Sequence, residues 1–85
     1  MRIKYLHEFL VAFLSLDNGA QRQIRKKLDE LHRMPEGSLE HQALRGDQFK
    51  GLFKLRVGDW RLIHKIVDGE LLFITLGHRS EVYRG

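Results

Sequence analysis

The sequence has no cysteine and a single proline. Without cysteine there is neither a disulfide framework nor a Cys-containing zinc site, and the absence fits a cytosolic chain. The histidines, at positions 7, 32, 41, 64 and 78, show no metal-ligand spacing, so no metal or cofactor is expected. No apolar run approaches the ~20 residues that a membrane span requires. Acidic residues are outnumbered, 11 against 15 Lys and Arg, for a formal charge of +4. That balance permits a nucleic acid or another polyanion as partner without requiring one. What remains is an ordinary globular composition, 42% hydrophobic and 31% charged, too apolar for a disordered chain. Its 85 residues suit one domain spanning 1–85, with a small core and no covalent staple.

One stretch imitates a secretory signal. Arg2 and Lys4 precede the apolar run 9–16, and Asn18-Gly19-Ala20 resembles a cleavage region. His7 and Glu8 interrupt the approach, and Asp17 closes the run. Removing the segment would also strip a small core of many of its apolar residues, so it is read as part of the fold.

Residues 2–6 alternate, with Ile3 and Tyr5 on one side, and predict a short strand. Residues 7–16 predict a helix that lacks a capping side chain at its start. Asp17-Asn18-Gly19 breaks the run, and Asp17 or Asn18 can cap a second helix. In 20–33, Ala20, Ile24, Leu28 and Leu31 form one apolar stripe among charged residues, the pattern of an amphipathic helix. Residues 35–51 read as irregular. The period then shortens to two: 52–57, 60–67 and 70–77 are strands joined by Gly58-Asp59 and Asp68-Gly69, strong hairpin signals. The order β-α-α-β-β-β gives an α+β fold, with two N-terminal helices packed on one face of a small, mainly antiparallel sheet.

Two-residue turns fix register. Val57 should pair with Trp60, Arg56 with Arg61, Lys54 with Ile63, and Arg61 with Leu76. One face then carries Leu55, Val57, Trp60, Leu62 and Phe73 toward the helices. The other gathers Lys54, Arg56, Arg61 and His78 near one end, with Arg79 directly after. Like charges opposite one another in a strand pair are unfavourable. Such a cluster is either a solvated basic face or a seat for an anion, and phosphate suits guanidinium groups because they match its oxygens bidentately.

Residues 52–64, from Leu52-Phe53-Lys54-Leu55-Arg56 through Trp60-Arg61-Leu62, together with Leu76-Gly77-His78-Arg79-Ser80-Glu81-Val82-Tyr83-Arg84, closely resemble the RelE branch of the RelE/ParE toxin superfamily. Leu44-Arg45-Gly46 is similar to the segment that precedes the second strand there. The resemblance covers nearly the whole chain and is generic over 1–34. It implies a small basic toxin of a type II toxin–antitoxin pair, acting in the cytoplasm with a cognate antitoxin as partner. It also implies a metal-independent endoribonuclease that cleaves mRNA in the ribosomal A site. In that chemistry the RNA 2′-hydroxyl attacks the adjacent phosphate, giving a 2′,3′-cyclic phosphate and a 5′-hydroxyl. A base, an acid and cations for the phosphorane charge are needed.

By the same resemblance, Arg61 and Arg79 match arginines that bind and stabilise the phosphate. Lys54 matches a strand lysine beside the scissile bond, and Tyr83 matches a tyrosine assigned to proton transfer or to orienting RNA. Arg56, Lys50 and Arg84 fall to RNA binding. His78 is added as a general acid or base because imidazole titrates near neutrality. Three departures stand out. Leu52 occupies a position where some relatives have a second lysine, a role open to Lys50. The tail beyond Tyr83 is short. In the first helix, Leu10, Val11 and Leu14 add apolar surface where relatives alternate, which predicts an interface with an antitoxin or a second copy of the chain through 7–16. A gyrase-directed ParE-like toxin and a catalytically degraded antitoxin- or RNA-binding module are the competing functions.

Overall fold

The structure, a computed structural model, describes residues 1–35, 42–43 and 51–82. Its elements run in the order β1 (Ile3–Tyr5), α1 (His7–Leu14), α2 (Asn18–Arg33), β2 (Gln42–Ala43), β3 (Phe53–Val57), β4 (Trp60–Val67) and β5 (Glu70–His78). The strands form one sheet ordered β1-β5-β4-β3-β2, in which β1 runs parallel to β5 and the other neighbours are antiparallel. The expected order therefore holds. The two-residue β2 is an addition, inside the stretch read as irregular.

Both helices cover one sheet face. The predicted stripe is the buried one: Ala20, Ile24, Leu28 and Leu31 are all inside. Ile24, Leu28 and Leu31 join Leu55, Val57, Leu62, Leu71 and Phe73 in one cluster with Phe9 of α1. Phe9 and Phe73 lie 5.4 Å apart and Tyr5 stacks 5.8 Å from Phe73, so the segment that imitates a signal is built into the core. Trp60 packs against the same core, as expected from its face. His64, fully buried, lies between the rings of Phe53 and Phe73 with Nδ1 3.3 Å from the Leu62 carbonyl.

Local chemistry fixes the ends. Of the two candidate caps for α2, Asp17 serves: its Oδ1 accepts from the Ala20 N–H at 2.8 Å. No side chain caps α1, as its sequence predicts; Gln21 instead donates back to the Phe13 carbonyl at 3.0 Å and ties α2 to the end of α1. At the far end of α2 the Met1 ammonium donates to the carbonyls of His32 and Met34, a cation placed against the negative pole of the helix.

The hairpin turns behave as their residues dictate. Gly58 has φ +59°, the glycine-first pattern of a II′ turn, whereas Asp68 and Gly69 are both left-handed, as a I′ turn requires. The β3–β4 register is the predicted one, with Val57 opposite Trp60 and Arg56 opposite Arg61. Register on the other side is corrected. β4 and β5 start together at Val67 and Glu70, but Ile63 pairs with Thr75 while His64 pairs with Phe73. Ile74 is thus one residue too many on β5, a bulge. Beyond it every side chain changes face. Leu76 turns inward opposite Leu62, Arg61 faces Gly77 and not Leu76, and His78 joins the side of Trp60.

Candidate functional site

Lys54 and Arg56 leave β3, and Arg61 leaves β4, on the sheet face turned away from the helices, because the residues alternating with them enter the core. Lys54, half-buried, stands between Gln42 and Ile63 in the ladder. Arg56 is exposed and directly opposite Arg61.

Arg61 is buried, at 8% exposure. Its Nη1 donates to the carbonyls of Gly58 and Trp60, each at 2.9 Å. Among the described residues no carboxylate pairs with it. Guanidinium tolerates this setting better than ammonium would, since its charge is delocalised and weakly hydrated. The result is a cation aimed by backbone and neutralised by no acid among those residues.

Arg79 reaches the same end by another route. Its backbone N–H donates to the Asp59 carbonyl at 2.8 Å, and its Nε lies 3.6 Å from Asp59 Oδ1. Both side chains are mostly in solvent, so this ion pair contributes little energy; its effect is on position. The Gly58–Asp59 turn therefore holds one arginine through a Gly58 carbonyl and another through Asp59. In the sequence this pair reads only as a register signal, and its work as an anchor is missed. An acidic residue at a hairpin tip beside a cluster of cations is the sign that points to it.

His78 is not with Arg61. Its ring meets Trp60 edge-on at 5.6 Å, and Nδ1 accepts from the Ser80 N–H at 3.2 Å with the Ser80 hydroxyl at 2.8 Å. A neutral ring accepting at Nδ1 carries its proton on Nε2. It stays at the same end of the sheet as Arg79, but on the opposite side from Arg56 and Arg61. After His78 the chain turns sharply, with the amides of Glu81 and Val82 both donating to its carbonyl at 2.9 Å. A methyl group on Gly77 would stand 3.2 Å from Val82 Cβ, so Val82 lies on the face of Arg61, over the residue paired with it. Of the remaining sequence candidates, Lys50, Tyr83 and Arg84 fall outside the described residues, as does Leu44-Arg45-Gly46.

Side chains with displaced protonation sit elsewhere. Hydrogen bonding from Lys4, helped by Arg2, holds Glu70 below the usual carboxylate range, and burial, with Asp29 nearby, raises the Tyr5 phenol. Among the described residues no three His, Asp or Glu side chains gather as a metal site, and no helix is long and apolar enough to cross a membrane.

Comparison with curated proteins by sequence finds no match. Solved structures do match. The isolated RelE toxin of E. coli is 26% identical, with a TM-score of 0.68 over 96% of this chain and 89% of that one. E. coli YafQ is 20% identical, with a TM-score of 0.72 over 98% and 99% of the two chains. The RelB–RelE antitoxin–toxin complex of Methanococcus jannaschii is 14% identical, with a TM-score of 0.72 over 94% of each. At such identities the last two show a shared fold. The family model for the ParE toxin of the type II toxin–antitoxin system parDE matches residues 3–83. With that match over almost its full length, and with the α+β architecture it shares with RelE, the chain belongs to the RelE/ParE superfamily of type II toxin–antitoxin toxins.

Proposed function

We propose that this toxin is an endoribonuclease that cleaves mRNA in the ribosomal A site, paired in the cytoplasm with a cognate antitoxin. The observation that carries the reading is the end of the sheet at Gly58–Asp59, where Arg56 and Arg61 stand opposite each other and Arg79 is fastened to the turn between their strands. Three cations there suit a phosphodiester that gains charge as it is cut. In the reaction, the 2′-oxygen forms a bond to phosphorus and the bond to the 5′-oxygen breaks. One proton leaves the 2′-hydroxyl for a base, and another reaches the 5′-oxygen from an acid. Arg61 and Arg79 are assigned to the phosphorane charge, Lys54 to the scissile phosphate, and Arg56, Lys50 and Arg84 to RNA. Proton transfer is assigned to Tyr83, because His78, the other sequence candidate, lies on the opposite side of the sheet from Arg61. The antitoxin partner is proposed by likeness to the M. jannaschii complex. The chemistry implied by the RelE resemblance calls for no metal.

A second reading, a gyrase-directed toxin, is favoured by the ParE family match. One experiment separates the two. The chain is expressed from a tight promoter while mRNA ends are mapped and gyrase is assayed. Codon-phased cuts ending in 2′,3′-cyclic phosphate support the nuclease. Arg79→Ala, at an exposed position, is expected to lower cleavage about 10²–10³-fold, the cost of one charge-stabilising donor. Arg61→Lys, which keeps the charge but loses the forked donors, is expected to lower it as well while the protein stays folded by circular dichroism. Growth arrest with intact mRNA and poisoned gyrase would establish the ParE-like activity instead. Good expression without toxicity would point to a degraded binding module.

A further inference from the structure

The bulge in β5 turns His78 away from Arg61 and leaves it without a part in the phosphate chemistry, yet two neighbours hold its ring. Trp60, its ladder partner on β4 and half-buried like it, meets the imidazole edge-on at 5.6 Å, with the ring planes 86° apart. Ser80 holds it from its own chain: Nδ1 accepts from the Ser80 N–H at 3.2 Å and lies 2.8 Å from the hydroxyl. A neutral imidazole that accepts at one nitrogen carries its hydrogen on the other. Nε2–H is thus a donor on a ring held in place, and it has no acceptor among the described residues. A turn alone does not need an imidazole. Asn or Asp accepts from the amide two residues on as readily. What histidine adds is the second nitrogen, and it adds it beside the phosphate-binding end of the sheet. Arg79 follows directly and is tied to the hairpin tip by Asp59, 3.6 Å from its Nε. A nucleotide carries both a phosphate and a base, which a cation and a neighbouring donor can take together.

We infer that His78 is a base-reading residue, its Nε2–H donating to N7 of a purine next to the phosphate held by Arg79. N7 is an acceptor in both purines, and neither pyrimidine has it. It stays open even where the base is paired. Cytosine turns an amino donor to the same edge, which a second donor does not satisfy. The inference rests on the endoribonuclease reading for the RNA that supplies the base. It makes His78 a specificity-determining residue, separate from the proton transfers.

The test uses the full chain, made by cell-free synthesis, and the fluorescence of Trp60, its sole tryptophan. The chain is titrated at low salt, where phosphate contacts are strongest, with single-stranded RNA tetramers that are 2′-O-methylated and so hold no nucleophile. One tetramer carries purines. The other carries the matching 7-deazapurines, in which carbon replaces N7. The purine tetramer is expected to bind about fivefold more tightly, the worth of one neutral hydrogen bond. His78→Asn keeps an acceptor for the Ser80 N–H and is expected to bind both tetramers alike, with its melting temperature little changed. A residue that only shaped the turn would leave the preference for N7 as it was. Equal binding of the two tetramers by the unsubstituted chain would overturn the proposal, and that comparison needs no variant to fold. So would a preference that survives in His78→Asn, or Trp60 fluorescence that neither tetramer alters. Mapped mRNA ends keep the two readings apart. Loss of the N7 preference in His78→Asn, with mRNA intact in cells, sustains the base site and rejects the nuclease. Cut mRNA together with equal binding of the tetramers rejects the base site alone.

Discussion

At the scale of single residues, the backbone settles where charge goes. Gly58 turns the chain with φ +59° and offers the carbonyl that holds Arg61. A Cβ there would come within 2.5 Å of Gln23 Nε2, the far end of a flexible side chain that can swing away. The left-handed backbone cannot be relieved so easily. Gly58→Ala is therefore expected to cost about 1–2 kcal/mol in urea unfolding, the usual penalty for a Cβ in that region. Gly58→Asn should cost less, since Asn tolerates the conformation. A larger loss of cleavage than of stability in Gly58→Ala would separate aim from folding. From sequence, the placement of Arg56 opposite Arg61 is legible because a two-residue turn leaves no freedom of register. The grip of Asp59 on Arg79 is not, since it joins the hairpin to the chain 20 residues later, and alternation has no bearing on such a contact.

At the scale of elements, α2 begins where Asp17 accepts from the Ala20 amide. Asp17→Ala is expected to destabilise the protein by about 1 kcal/mol, with Asp17→Asn or Asp17→Ser close to neutral, read as shifts in denaturation midpoint. This cap, the buried stripe of α2 and both hairpins can be read from the sequence because each is a local matter of turn chemistry or of period. The bulge cannot. Nothing in Phe73-Ile74-Thr75 marks Ile74 as the extra residue, and the choice depends on how Leu62 and Leu76 pack under the helices. That one residue moves His78 to the side of Trp60 and brings Gly77 beside Arg61. β2 escapes notice for a related reason: a strand of two residues has no period to detect.

At the scale of the whole molecule, the parallel strand β1 is joined to a sheet otherwise made of hairpins. Backbone pairing with β5 holds it, and Glu70 adds an ionic clasp, 3.2 Å from Lys4 Nζ and 3.5 Å from Arg2 Nη1. The Lys4 hydrogen bond is the largest influence holding the Glu70 carboxyl below its ordinary range. A carboxyl whose pKa falls on folding stabilises the native state above its unfolded value of about 4.3, and that stabilisation disappears as pH drops through the lower, folded value. Glu70→Gln should therefore flatten the fall in melting temperature between about pH 4.5 and pH 2, with little change near neutrality. Unchanged acid sensitivity in Glu70→Gln would place the acid response in other carboxylates. The exposed leucines of α1 belong to this scale too. Their excess is visible in the sequence as apolar positions beyond one stripe, and the structure leaves them uncovered.

The loop joining β3 to β4 fastens the Arg61 guanidinium and the backbone of Arg79, which come from distant parts of the chain. A displacement of that loop is therefore expected to carry both residues along together. For the phosphate of the proposed reaction, such coupling would leave less ordering entropy to supply on binding.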